Sequence, residues 1–235
     1  MVSRERPLVM VAAMAREARI ARAVARDRDW LTVALCGIGP ERAARCAREQ
    51  LAGGAGGLLS VGVAGALDPA LVAGDLLLPA SVCAEGDAAL PVSERLHRTL
   101  RAALPGGTAP NVGLLVSVAS PVSAERHRLA LAAGTGAVAV DMESAALAAV
   151  ANEAGVPFAV LRTVSDPVGQ ELPACTRGAL DAYGRVRMPA LLAGLARRPA
   201  EALVLARLAS GVRRAERALR TALDTALPPL AGATS

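Results

Sequence analysis

Strands alternating with helices through the first 167 residues predict an α/β fold: a three-layer sandwich whose mixed, mostly parallel central sheet is flanked by helices on both faces. Three observations carry this. Short apolar runs rich in valine and leucine recur between alanine-rich stretches of helical length. The stretch 136–167, GAVAVDMESAALAAVANEAGVPFAVLRTVSDP, reads as strand, acidic turn, helix, break at Gly155 and Pro157, strand, acidic turn. No linker rich in Gly, Ser or Pro divides these residues, and no repeat or low-complexity block interrupts them, so they form one domain.

In chain order, 8–13 is an apolar strand, and 14–25 a helix with Glu17 in its first turn. A strand at 31–36 leads through Gly37-Ile38-Gly39-Pro40 into a helix over 41–51, with proline at its start. Residues 58–61 enter a glycine-rich turn, 62–66, and 75–80 forms a further strand. A helix over 93–104, a strand within 112–117 and a helix after Ser123 follow. Residues 137–140 are the next strand and 143–154 an alanine-rich helix ending before Gly155, a residue suited to the left-handed position beyond a helix. The strand 158–163 then runs to Ser165 and Asp166. A strand, crossover helix and strand in one sheet imply parallel strands, which would set both acidic turns at one carboxyl edge, where open α/β sheets bind ligands.

Composition narrows the function. The chain has 235 residues, 53% of them apolar, enough for a full core. Trp30, Phe158 and Tyr183 are the only aromatic residues, so a nucleic-acid platform of stacked rings is excluded. All basic residues are arginine. Cys36, Cys46, Cys83 and Cys175 form no CxxC pair and have only His97 and His127 for company, so neither a metal site nor a cofactor is expected, and the thiols read as reduced and cytoplasmic. Arg4, Arg6 and the apolar run 7–14 imitate a secretory leader, but the run is short and serves better as a first strand.

The tail differs. Residues 1–184 are expected to be the α/β domain and 185–235 a basic helical extension packed on it. Stretches 172–183, 188–196 and 200–226 read as helices. Leu208, Val212, Ala215, Leu219 and Leu223 lie at helical spacing, with Arg213, Arg214, Arg217 and Arg220 mostly opposite. Nine arginines between Arg185 and Arg220 face only Glu201 and Glu216. Such helices most often cover a core; the sharper expectation is a basic amphipathic surface for anionic lipid.

Glu17, the 62–66 turn, Glu143 and Asp166 all follow strands at the same expected edge. Each carboxylate has a bland explanation as a cap or dipole partner. Three together, with Arg162 as the one arginine near, would raise one another's pKa values and keep a protonated acid near neutral pH.

These residues sit in motifs. VDMES at 140–144, VPFAVLRTVSD at 156–166, SVGVAGALDP at 60–69 with Gly74-Asp75, and AAMAREA at 12–18 resemble the nucleoside phosphorylase and nucleosidase family. The tail and the early AREARIARAV are similar to its hopanoid-associated branch, a bacterial group implied to remove adenine from adenosylhopane in lipid biosynthesis. The resemblance implies that Asp166 protonates the purine N7, Glu143 holds the ribose hydroxyls with Met142 against the sugar, and Glu17 activates water. It implies further that Val122 and its neighbours meet the base through backbone groups, and that Val63, Ala64, Gly65 and Ser165 complete the substrate site. A homo-oligomer, a dimer in the simplest case, and a lipid-linked nucleoside partner at the cytoplasmic face of the inner membrane belong to the same expectation. Where family phosphorylases carry an arginine and a hydroxyl for phosphate, this chain has Ser60 and Val63, which favours water as the nucleophile. The aromatic residue that relatives stack on the purine has no counterpart near Val122.

Three rival readings remain. One is phosphorolysis, or hydrolysis of small soluble nucleosides such as methylthioadenosine. A redox protein using Gly37-Ile38-Gly39 is disfavoured because Arg42 replaces the third fingerprint glycine. The last is a membrane-associated scaffold without catalysis.

Overall fold

The computed structural model describes residues 6–104, 109–170, 173–176, 178–228 and 230. The central strands are those buried along all or nearly all of their length: β1 (Leu8–Ala12), β3 (Gly57–Ala66) and β9 (Phe158–Asp166). β2 (Leu31–Leu35) and β3 flank β1, all parallel. β9 lies parallel to β3 on its other side, and the two-residue β4 (Leu76–Leu77) is antiparallel to β9. The sheet continues from the end of β3 through β8 (Ala139–Asp141), β7 (Leu115–Ser117), β5 (Ser81–Ala84) and β6 (Leu90–Pro91). It is mixed, as expected, with helices on both faces.

Helices α1 (Ala15–Ala25), α3 (Glu94–Ala103) and α7 (Ala202–Ala226) cover one face. Leu219, Leu223 and Leu227 of that layer share a core with Leu8, Met10, Leu59 and Leu161. α2 (Pro40–Ala52) and α5 (Ser144–Glu153) cover the other, where small residues such as Ala43, Ala47, Ala148 and Ala151 let backbones approach the sheet closely. α4 (Glu125–Thr135) closes the β7–β8 connection. Gly155 takes φ +65° just past α5, the left-handed position foreseen for it.

Four expectations are corrected. The glycine-rich segment 62–66 is the second half of β3 rather than a turn. It stays extended because β9 pairs with it through Val164, and Asp166 closes the ladder across a register shift at Ala64 and Gly65. Ser165 and Asp166 likewise end a strand instead of forming a turn. β8 and β9 are not a parallel pair: β8 runs antiparallel to the end of β3 while β9 runs parallel to it. Finally, 172–183 is no helix. Among the described residues it contains one 3-10 turn, Ala174–Thr176, followed by a bridge between Leu180 and Val186. Asp181 explains the difference, since its carboxylate accepts from the Tyr183 and Arg185 N–H groups and folds the backbone into a turn.

Candidate active site

The acids meet through β3. Gly65 is paired with Val140 on one side and with Asp166 on the other, so the ends of β8 and β9 converge on one residue from opposite directions. A cavity of about 220 Å³ opens there, walled by Met14, Glu17, Val63, Ala64, Gly65, Val122, Arg128, Met142, Glu143, Arg162, Ser165 and Asp166, among others. Every residue assigned to the site from sequence borders it.

Glu17 is buried at the start of α1. Its Oε2 accepts from the Met14 N–H at 2.8 Å, capping the helix, and its Oε1 accepts from the Val63 N–H at 2.8 Å. The capping role and the site role thus coincide. Burial raises its pKa, against the pull of Arg162. β3 must be glycine at position 62: a Cβ there would come within 2.4 Å of Glu17 Oε1 and 2.7 Å of Arg162 Nη1.

Arg162 is the hub of the wall that carries Glu17 and Glu143. Its Nη2 lies 2.8 Å from Asp141 Oδ2 and 3.5 Å from Glu143 Oε2, and it donates to Ser60 Oγ at 3.0 Å and Ser144 Oγ at 3.3 Å. Nη1 donates to the Val63 carbonyl at 3.0 Å. Asp141 is itself fixed by the Ser117 hydroxyl and by the Ser144 N–H, so its carboxylate is a structural anchor. Glu143 accepts from the Gly39 N–H at 3.0 Å, which ties the 37–40 loop to the site. Burial lifts its pKa to about 7, helped by Asp141 and opposed by Arg162. Ser60 is fully buried beneath Arg162, where it cannot meet a phosphate in the cavity.

The wall that carries Asp166 holds a residue not singled out from the sequence. Arg128, on α4 and 2% exposed, is ion-paired through Nη2 with Asp166 Oδ2. Its Nη1 donates to the Asp166 and Pro167 carbonyls, and its Nε donates to the Val122 carbonyl at 3.0 Å. Arg162 is therefore not the lone cation near the acids, and the Val122 carbonyl is committed to Arg128. In sequence, Arg128 sits among charged and apolar residues of a helix of low amphipathicity; only the uncommon burial of an arginine marks it. Asp166 also accepts from the Ser165 hydroxyl. Burial raises the Asp166 pKa, while Arg128 and Ser165 pull it down.

Two cations thus serve two acid groups, each on its own wall. Among the described residues no group of three His, Cys, Asp or Glu side chains gathers to hold a metal.

The Phosphorylase superfamily model matches residues 17–181. The chain belongs to that superfamily. None of the curated proteins matches the sequence significantly. Among solved structures, the 5′-methylthioadenosine/S-adenosylhomocysteine nucleosidase of Neisseria meningitidis in complex with methylthio-immucillin-A is similar at a TM-score of 0.73 and 18% identity, covering 94% of this chain and 98% of that one. The futalosine hydrolase of Helicobacter pylori is similar at a TM-score of 0.69 and 19% identity, with the same coverage, 94% and 98%. The S-adenosylhomocysteine nucleosidase of Streptococcus pyogenes, in complex with 5-methylthiotubericidin, reaches 0.71 at 18% identity over 97% of this chain and 100% of that one. At these identities the likeness establishes the fold of a superfamily member, and the chemistry rests on the residues.

Proposed function

We propose that this protein hydrolyses the N-glycosidic bond of a 5′-substituted adenosine, and that its substrate is adenosylhopane, cleaved to ribosylhopane and adenine. The observation that carries hydrolysis is the state of the two arginines. The Nη groups of Arg162 are taken by Asp141, Glu143, Ser60, Ser144 and the Val63 carbonyl, leaving only its fully buried Nε without a partner among the described residues, and Arg128 is taken by Asp166 and three carbonyls. A phosphate dianion entering beside Glu17 would find no cation to spare and an acidic neighbour, a repulsion that outweighs a few backbone hydrogen bonds in a buried site.

The reaction then divides between the walls. Glu17, held at both oxygens by backbone N–H groups, takes a proton from water as the water oxygen bonds to the anomeric carbon. The bond from that carbon to N9 breaks, and its electron pair passes into the purine as Asp166 delivers a proton to N7. Glu143, with Met142 beside it, holds the ribose hydroxyls and stabilises the sugar as positive charge develops on it. Both products leave neutral, and proton exchange with solvent restores Glu17 and Asp166.

The surroundings of the cavity support a large 5′ substituent. Past Ile38 and Met142 it adjoins a groove of about 550 Å³ that is lined also by Glu41, Arg42 and Arg45, and past Val118 a second, of about 400 Å³, mostly of alanine (Ala84, Ala88, Ala119, Ala145, Ala146, Ala149) with Glu85 and Asp87 in its wall. Drug-sized pockets run to roughly 300–1,000 Å³, so a polycyclic lipid would have to lie in these grooves rather than in the central cavity. Among the described residues no helix is long and apolar enough to cross a membrane, so the lipid would be met at a surface.

Purified protein incubated with adenosylhopane or methylthioadenosine, with and without phosphate, tests the reading. Phosphate-independent adenine release, faster from adenosylhopane, is expected. Release only with phosphate would replace hydrolysis by phosphorolysis, and release from methylthioadenosine alone would leave a soluble-nucleoside nucleosidase.

A further inference from the structure

The basic C-terminal helices are expected to offer lipid a surface, and of these α7 spends the apolar face of its second half on the core: Ala215, Leu219, Leu223 and Ala226 are fully buried. The unspent apolar surface lies just before it. α6 (Met188–Arg197) has no buried residue. Its inner side, Ala190, Leu191, Gly194 and Leu195, is half-buried, and Gly194 packs so closely on Cys175 that a Cβ would come within 2.8 Å of the Cys175 carbonyl oxygen. Its outer side carries Met188, Leu192 and Ala196 one turn apart, with Leu192 58% exposed. Leu180, Val186 and Leu203 extend the patch, so that most of the exposed large apolar side chains of the described residues fall within 180–203.

Charge surrounds this patch with one sign. Arg185 and Arg187 precede α6, Arg197 and Arg198 end it, all four are exposed, and no acidic residue occurs from 182 to 200. Glu201 pairs with Arg198, and Asp181 is turned to backbone N–H groups. A second copy would have to bury these arginines against one another. An anionic surface with an apolar interior is complementary to both features.

The patch is also wired to the cavity. The Tyr183 carbonyl accepts from the Ala15 N–H at 2.9 Å and the Ala182 carbonyl from the Ile38 N–H at 2.8 Å. Met14 and Ile38, beside those amides, are cavity walls.

We infer that α6 and the turn before it form a docking surface for an anionic lipid bilayer, which brings the cavity mouth at Met14 and Ile38 to the membrane. This rests on exposure and charge and holds whether or not the substrate is a lipid. The full chain is sedimented with vesicles of phosphatidylcholine alone or with a third phosphatidylglycerol, at low and high salt, beside Met188→Asp/Leu192→Asp and Arg185→Gln/Arg187→Gln/Arg197→Gln. The protein should bind the anionic vesicles alone; the apolar pair should weaken binding at least about tenfold, and the arginine variant about fivefold per charge removed. Turnover of methylthioadenosine or adenosine in solution should be unchanged in both, as should the circular-dichroism melting curve. Absence of binding by the parent chain, or binding by both variants as tight as the parent's, overturns the inference. So does light scattering in which Met188→Asp/Leu192→Asp dissociates a dimer without loss of vesicle binding, since the patch then serves a second copy. If the aspartate pair melts early, the arginine variant, altered only at exposed side chains, decides alone.

Discussion

The two walls of the cavity handle buried charge differently. On the Glu143 side, Arg162 faces two carboxylates and two hydroxyls on elements of the sheet and α5, all of them deep in the core. On the Asp166 side, Arg128 reaches from a surface helix to one carboxylate and three backbone carbonyls. The first is a hub that joins β3, β8, β9 and the start of α5. The second is a clasp between α4, the Val122 segment and Asp166, and its cation lowers the proton affinity of that one acid. The contrast predicts that loss of the hub acts mainly on stability and loss of the clasp mainly on proton affinity.

The largest effect should come from the acid itself. Asp166→Asn should lower adenine release by about 10²–10⁴-fold. The amide keeps the shape, so the native circular-dichroism spectrum should persist, but it takes the counter-charge from the buried Arg128 and should also lower the melting temperature. A catalytically inert scaffold would have no turnover to lose. Next, Arg162→Met strands Asp141 and Glu143 as buried, uncompensated carboxylates and should cost about 3–5 kcal/mol in urea unfolding. Loss of less than about 1 kcal/mol would dissolve the contrast between hub and clasp.

Arg128→Gln should destabilise less than Arg162→Met and act on the pH profile. Burial raises the Asp166 pKa and Arg128 opposes this, so removing the cation raises it further. The alkaline limb of kcat/KM, along which the acid loses its proton, should move to higher pH. A fall in rate with an unmoved limb would reduce Arg128 to packing.

The smallest effect concerns Glu143. Its pKa of about 7 lies above the ordinary carboxylate value, so the folded state holds the proton more tightly than the unfolded chain. Stability is then full at acid pH and is lost as pH rises from about 4.5 through 7. Glu143→Gln removes the loss: at pH 8 the variant should be more stable by on the order of 1–2 kcal/mol, with a flatter stability curve across this window and little ribose binding. Equal slopes for parent and variant would place the proton elsewhere, on Glu17 or Asp166, whose pKa values burial also raises.

Local pattern carried much of this into view. Glu17 in a first turn, Glu143 and Asp166 after apolar runs, and Gly155 beyond a helix were legible because each has a signature within a few residues. The 62–66 segment misled because glycines in sequence read as a turn, whereas here they let a strand pass a carboxylate and a guanidinium. The stretch 172–183 misled because alanine and leucine favour a helix that Asp181 and its turn prevent. Arg128 was hidden because nothing beside it in sequence announces burial.

The sequence by itself determined the class of fold, the superfamily and the three acids, since these depend on periodicity and on motifs of a few residues. Tertiary structure alone decided how the acids meet and how they are charged. β8 and β9 approach Gly65 from opposite sides through the branching of the sheet at β3. The two arginines are allotted one to each wall, and the apolar surface left uncovered belongs to α6 rather than α7. Pairing and burial are long-range quantities, set by which strands lie side by side and which helix faces the core has room to cover, and no local window of residues contains them.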